Sequence, residues 1–203
     1  MLPILLSVFA ISFAGAIVPG PILAVTLAKS YKSPWAGFQI ALGHATIEIP
    51  LILLIYFGFS QFFQNNLVQL VLSTLGGGLI IWLGINMFRA RVDVVQGGKD
   101  AHYNAFTLGI LTSALNPMFL LWWVTIGTMF IMKFHAFGIA GLILFIITHE
   151  LPDLSWYSFV SIMTHKTKSL WGQRFQGWLF TACSLLLVGF GIWFLVTGIQ
   201  ILL

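Results

Sequence analysis

Two groups of titratable residues interrupt otherwise apolar sequence: His44 with Glu48, and His149 with Glu150 and Asp153. Histidine and carboxylate stand four residues apart in both groups, which puts each pair on one face of a helix. Imidazole beside carboxylate can relay protons, hold a cation, or ligate a divalent metal through His44, Glu48, His149 and Asp153. The groups can also do no more than hydrogen-bond one another as structural glue. A charge at the centre of a membrane helix costs about 2.5–3.5 kcal/mol on insertion scales, so three acids cost on the order of 8–10 kcal/mol unless paired, protonated or hydrated. Folding alone does not require that expense, and intramembrane acids default to a functional reading.

The elements that must position these residues are apolar. The chain has 203 residues, 59% of them hydrophobic and 7% charged, and its mean hydropathy is +1.01. Too few polar groups remain to cover a soluble domain. A spanning helix takes roughly 20 apolar residues, so the length accommodates about six. Runs at 2–28, 35–62, 67–88, 105–132, 137–163 and 178–203 predict them, giving an all-α polytopic membrane protein. Residues 1–18 lack the basic start of a signal peptide, although Ala14-Gly15-Ala16 resembles a cleavage site. They are taken as the first helix.

The chain repeats itself. Each half opens on an apolar segment broken by proline, at Pro19-Gly20-Pro21 and at Asn116-Pro117. Each continues with an acid-bearing segment, Glu48-Ile49-Pro50 and Glu150-Leu151-Pro152, and closes on a glycine- and tryptophan-containing one. Residues 1–88 and 105–203 are therefore expected to be two three-helix repeats, joined by a flexible cytoplasmic linker over 89–104. Three helices is an odd number, so the second repeat enters the membrane inverted, the arrangement that alternating access uses. Lys29, Lys32, Arg89, Arg91, Lys99, Lys166, Lys168 and Arg174 fall on one side and Lys133 alone on the other. The positive-inside rule then puts both termini outside the cytoplasm. Tyr31, Trp35, Tyr103 and Trp171 lie near expected interfaces, and the basic excess suits anionic lipid rather than nucleic acid.

Pro19 and Pro21 remove backbone donors, and Gly20 is unconstrained between them. The first helix should kink or unwind there, offering backbone groups to a ligand or to neighbouring helices. Asn116 and Pro117 should do the same in the fourth, with Trp122 and Trp123 beyond either lining a cavity or packing between helices. Small residues every four positions (Ser12, Ala16, Gly20, Ala24, Ala28; then Gly37, Ala41, Ala45) permit close helix approach. His149-Glu150-Leu151-Pro152-Asp153 begins like the zinc-protease helix motif but ends on aspartate, and Pro152 should disturb its helical spacing. No enzyme activity is expected. The single Cys183 excludes an internal disulfide, and no phosphate-binding GxxxxGK loop is present to supply ATP. No cofactor is expected.

Ile17-Val18-Pro19-Gly20-Pro21, Leu115-Asn116-Pro117 and the glycine-rich Gly76-Gly77-Gly78 with Leu83-Gly84 resemble the lysine exporter (LysE/RhtB) family over nearly the whole chain. The resemblance implies a secondary transporter of the cell membrane (plasma or inner) that exports amino acids or related small solutes on the proton-motive force. It places Pro19, Gly20, Pro21, Asn116 and Pro117 about the pathway, as helix breaks and gates. On that reading His44, Glu48, Asn116, His149, Glu150 and Asp153 bind substrate or protons, the substrate being an amino acid or a cation. The wider superfamily also includes metal-ion exporters. A non-transporting scaffold is the alternative of a different class, and a homodimer is open to either.

Overall fold

The computed structural model describes residues 2–59, 65–95 and 103–200, the side chains of 90–95 excepted. Every regular element among them is helical. In chain order these are α1 (Leu2–Ile17), α2 (Pro21–Ser30), α3 (Ala36–Tyr56), α4 (Asn66–Val95), α5 (Ala105–Ala114), α6 (Pro117–Trp122), a π-helical turn (Trp123–Gly127), α7 (Thr128–His135), α8 (Gly138–Thr167) with a 3-10 turn at Lys168–Leu170, and α9 (Gln173–Gln200). Five stretches are long and apolar enough to cross a membrane, and the bent α1–α2 pair makes a sixth.

The first proline break is a sharp bend of 66° between α1 and α2. A proline disfavours the helical region for the residue before it. Gly20 is accordingly extended (φ −155°, ψ −176°), and Pro21 restarts the helix at its first position, where a missing N–H costs nothing. The second break divides the expected fourth helix at Leu115–Asn116. Asn116 is extended (φ −96°, ψ 105°), Pro117 opens α6, and the Asn116 side-chain oxygen accepts from the amides of Met118 (3.0 Å) and Phe119 (3.3 Å). That amide is an N-cap, with its carbonyl already committed.

Several features of the helices differ from expectation. Helix α4 runs to Val95 instead of ending at 88, so the first residues of the supposed linker are helical; 96–102, with Gly97, Gly98 and Lys99, lie outside the described residues, and Asn104 caps α5. The break expected over 164–177 shrinks because α8 continues through Thr167 and α9 begins at Gln173. Pro152 sits inside α8 without ending it, so the spacing from His149 to Asp153 stays helical and the expected disturbance is absent. The turn from α7 into α8 uses Gly138 at φ +60°, a conformation side chains disfavour.

Helix α3 is central to the packing. It lies against α5, α7 and α8, while α1 and α2 lie against α8, and α4 pairs lengthwise with α9. The contact of α3 with α5 is backbone-close: a Cβ on Gly43 would stand 2.1 Å from the Phe106 carbonyl oxygen, and one on Gly109 equally 2.1 Å from that of Ile40. Two apolar clusters flank the middle of the bundle. Along α3, Ala36 and Ile40 belong to one, and Leu51, Ile52 and Ile55 to the other. His44 and Glu48 occupy the gap between them.

Where α2 gives way to α3, the end of α8 ties down its carbonyls. His165 Nδ1 lies 2.9 Å from the Ser30 carbonyl oxygen, and Lys168 Nζ donates to that of Tyr31. Tyr31, expected at an interface, is instead buried at 5% exposure against Trp171 and Phe180. Burial pushes its phenol up to about 12, and the buried hydroxyl has no hydrogen-bond partner among the described residues.

Candidate functional site

The five titratable residues singled out in the sequence meet at one place. His44 and Glu48 come from α3; His149, Glu150 and Asp153 from α8, which packs on it. All are buried, with exposures from 2% for Glu48 to 8% for Asp153, so none points at lipid.

One oxygen organises the cluster. Oε1 of Glu48 lies 3.2 Å from His44 Nε2 and 3.3 Å from His149 Nε2, and accepts a 3.0 Å hydrogen bond from the indole N–H of Trp123. His44 Nε2 is also 3.5 Å from Oδ2 of Asp153. A carboxylate gathering several N–H donors in a low-dielectric interior is held firmly and has little freedom to swing.

Each histidine is braced from behind by a serine. Ser113 Oγ is 2.7 Å from His44 Nδ1, and Ser12 Oγ is 2.6 Å from His149 Nδ1. The pairs cross the halves: Ser12 of α1 meets the histidine of α8, and Ser113 of α5 meets the histidine of α3. Ser113 Oγ also stands 2.6 Å from the Gly109 carbonyl oxygen. One hydroxyl proton cannot serve both. If Ser113 donates to Gly109, His44 must carry its proton on Nδ1, and Nε2 can then donate to the acids only as imidazolium. If Ser113 donates to Nδ1, a neutral ring can still present Nε2–H. The hydroxyl orientation is thus tied to the charge of the ring.

Aromatic rings close the cluster. Phe145 stacks on His149 at 5.8 Å, Trp122 and Trp123 lie 5.2 and 5.0 Å from it, and Phe119 is edge-on to His44 at 5.2 Å. Trp123 is fully buried at the start of the π-helical turn, a helical irregularity often found at working sites. The sequence left Trp123 between cavity lining and packing; its hydrogen bond to Glu48 adds a polar duty. Ser12 was read only as a small packing residue and Ser113 not at all. A hydroxyl one helix away from a buried imidazole leaves no mark in sequence spacing.

Pro19, Gly20, Pro21 and Pro117 form the two breaks described above, and the side-chain oxygen of Asn116 is taken up by its own helix. His44, Glu48 and Asp153 could also hold a metal, since each offers a ligand atom within 4.8 Å of the others.

A helical membrane bundle with a broken first span and a buried imidazole–carboxylate centre is the architecture of a membrane translocator. Residues 13–198 match the model of the LysE type translocator family, and the chain belongs to that family. Among curated proteins it is similar to "Putative amino acid efflux protein YcgF" of Bacillus subtilis (strain 168), 27% identical over 190 residues, which covers 91% of each chain. No solved structure matches.

Proposed function

We propose that the chain is a secondary transporter exporting amino acids or related small polar solutes across the cell membrane in exchange for protons. The observation that carries this is the convergence on Glu48 Oε1 of two histidines from different helices, in the gap between two apolar clusters. Membership of a translocator family and the name of the Bacillus relative support export. In the mechanism, Glu48, Glu150 and Asp153 receive the substrate ammonium or the coupling proton, and His44 and His149 pass protons among them. The breaks at Pro19–Pro21 and at Asn116–Pro117 let parts of the first and fourth spans move as gates.

Two inverted repeats, 1–88 and 105–203 about a linker at 89–104, supply the two faces of alternating access. Exchanging the halves converts the packing of α1 and α2 on α8 into that of α5 and α7 on α3, and the Ser12–His149 pair into Ser113–His44. The basic residues place the odd-numbered connections in the cytoplasm and both termini outside.

Purified protein in proteoliposomes with an imposed pH gradient tests the reading. Labelled amino-acid flux should follow the gradient and fall to background in Glu48→Gln and Asp153→Asn. Wild-type flux in both variants would remove the acids from the mechanism.

The donor set of His44, Glu48 and Asp153 favours a second reading, in which a divalent metal ion is the exported substrate. Calorimetric titration with zinc and manganese separates the two. Metal export requires binding that His44→Ala abolishes, and heat-silent titrations dismiss it.

A further inference from the structure

Among the described residues, three buried oxygens of the cluster receive no N–H or O–H from any other side chain or backbone group: Oε2 of Glu48 and both carboxylate oxygens of Glu150, which stands within hydrogen-bonding reach of Glu48. Glu150 is 6% exposed, and its nearest charged neighbours are Glu48, His44 and Asp153. Buried carboxylates left without donors are costly, so this trio is the fully buried part of the centre that no donor fills. Oε1 of Glu48 is engaged by three nitrogens and Oδ2 of Asp153 by one.

We propose that Glu48 Oε2 with Oε1 and Oε2 of Glu150 forms the subsite that reads a primary ammonium group on the transported solute. The proposal rests on the exporter reading above, and two counts carry it. Charge is the first: three carboxylates face two imidazoles, so the cluster is one positive charge short even with both rings protonated. Hydrogen bonding is the second. An ammonium carries one charge and three N–H donors, against three unpaired acceptors. A single proton shared between Glu150 and Glu48 Oε2 restores the charge and serves two of the oxygens, but leaves the third unmet. A metal at the His44, Glu48 and Asp153 donor set would compete for atoms already bonded to one another and would leave Glu150 as it is. Glu150 is thus the specificity-determining residue, and Glu48 the bridge between the fixed network and the solute.

The test is binding to the purified full chain, with no gradient applied. The probes are n-butylammonium, and tetramethylammonium, which has the same charge and no N–H. n-Butylammonium should bind and tetramethylammonium should bind at least about tenfold more weakly. Glu150→Gln should weaken n-butylammonium roughly ten- to a hundredfold, the loss of one or two charge-assisted hydrogen bonds. Its circular dichroism and elution as a single species should match wild type. If Glu150→Gln does not purify, Glu150→Asp carries the test: it keeps the charge, retracts both oxygens by one methylene, and must also weaken binding. Wild-type affinity in the variant that purifies, equal binding of the two probes, or no binding of either overturns the subsite. Gradient-driven amino-acid flux alongside any of those results leaves the exporter standing without it. Discriminating ammonium binding with no amino-acid flux leaves the subsite and removes the exporter.

Discussion

Trp123 Nε1 donates a 3.0 Å hydrogen bond to Oε1 of Glu48, joining the π-helical turn after α6 to the centre of α3. Both residues are buried, so solvent does not replace the bond when it is lost. Trp123→Phe keeps most of the ring packing against Phe145 and His149 and removes only the donor. The expected cost is about 1.5–3 kcal/mol, the usual range for a hydrogen bond to a charged group. It should appear as a lower thermal midpoint in detergent, and Trp123→Phe in a Glu48→Gln background should cost much less. Equal losses in both backgrounds would show that the bond contributes nothing of its own.

Ser12 and Ser113 brace different histidines that share one acceptor. Ser113→Ala orphans His44 Nδ1 and Ser12→Ala orphans His149 Nδ1, each costing about 1–3 kcal/mol in a buried setting. Because both rings lean on Glu48 Oε1, the double variant should depart from additivity by at least about 0.5 kcal/mol. Thermal unfolding of the two single variants and the double variant measures it. Strict additivity would mean that the serines hold independent sites.

The tie of Lys168 and His165 to the carbonyls of Tyr31 and Ser30 joins the end of α8 to the end of α2, at the side assigned here to the cytoplasm. Lys168→Met removes the donor and keeps an unbranched stem of similar length. If this tie holds that side shut, the variant should make a cysteine placed at Thr26, which is fully buried, react several-fold faster with a membrane-impermeant maleimide. The comparison is made in a Cys183→Ser background. Unaltered labelling would make the contact a local helix cap and no part of a gate.

Much of this arrangement was legible because it follows from short-range rules. Histidine and acid four residues apart share a helix face wherever the helix goes, so the meeting of His44, Glu48, His149 and Asp153 needed only that α3 and α8 touch. Proline-glycine-proline and asparagine-proline break helices through backbone sterics, and both breaks are where the residues put them. What escaped depends on tertiary position. Ser12 and Ser113 look like small packing residues until an imidazole stands 2.6–2.7 Å away. Asn116 beside a proline suggested a ligand group, yet the same side chain satisfies the open amides of α6. Polar composition ended the third segment at 88, whereas charged side chains do not oppose a helix that has left the membrane, and α4 continues to Val95.

The close contact between α3 and α5 gives the last prediction. A methyl on Gly43 or Gly109 would meet a facing carbonyl oxygen at 2.1 Å, and backbone cannot swing aside as a side chain can. Gly43→Ala and Gly109→Ala should therefore push the helices apart, at a cost of about 1–3 kcal/mol or more for overpacking. Gly43 precedes His44, and Ser113 lies one turn beyond Gly109, so the same displacement should open the 2.7 Å Ser113–His44 contact. Gly78→Ala is the control. It lies within α4 with nothing inside 4 Å of its added Cβ, so it should be neutral or stabilising by up to about 1 kcal/mol through helix propensity. Thermal midpoints and gradient-driven flux, measured side by side, should fall together for the first two and hold for the third. A Gly43→Ala protein as stable and as active as Gly78→Ala would mean that α3 and α5 have room between them, and that the placement of His44 does not depend on their approach.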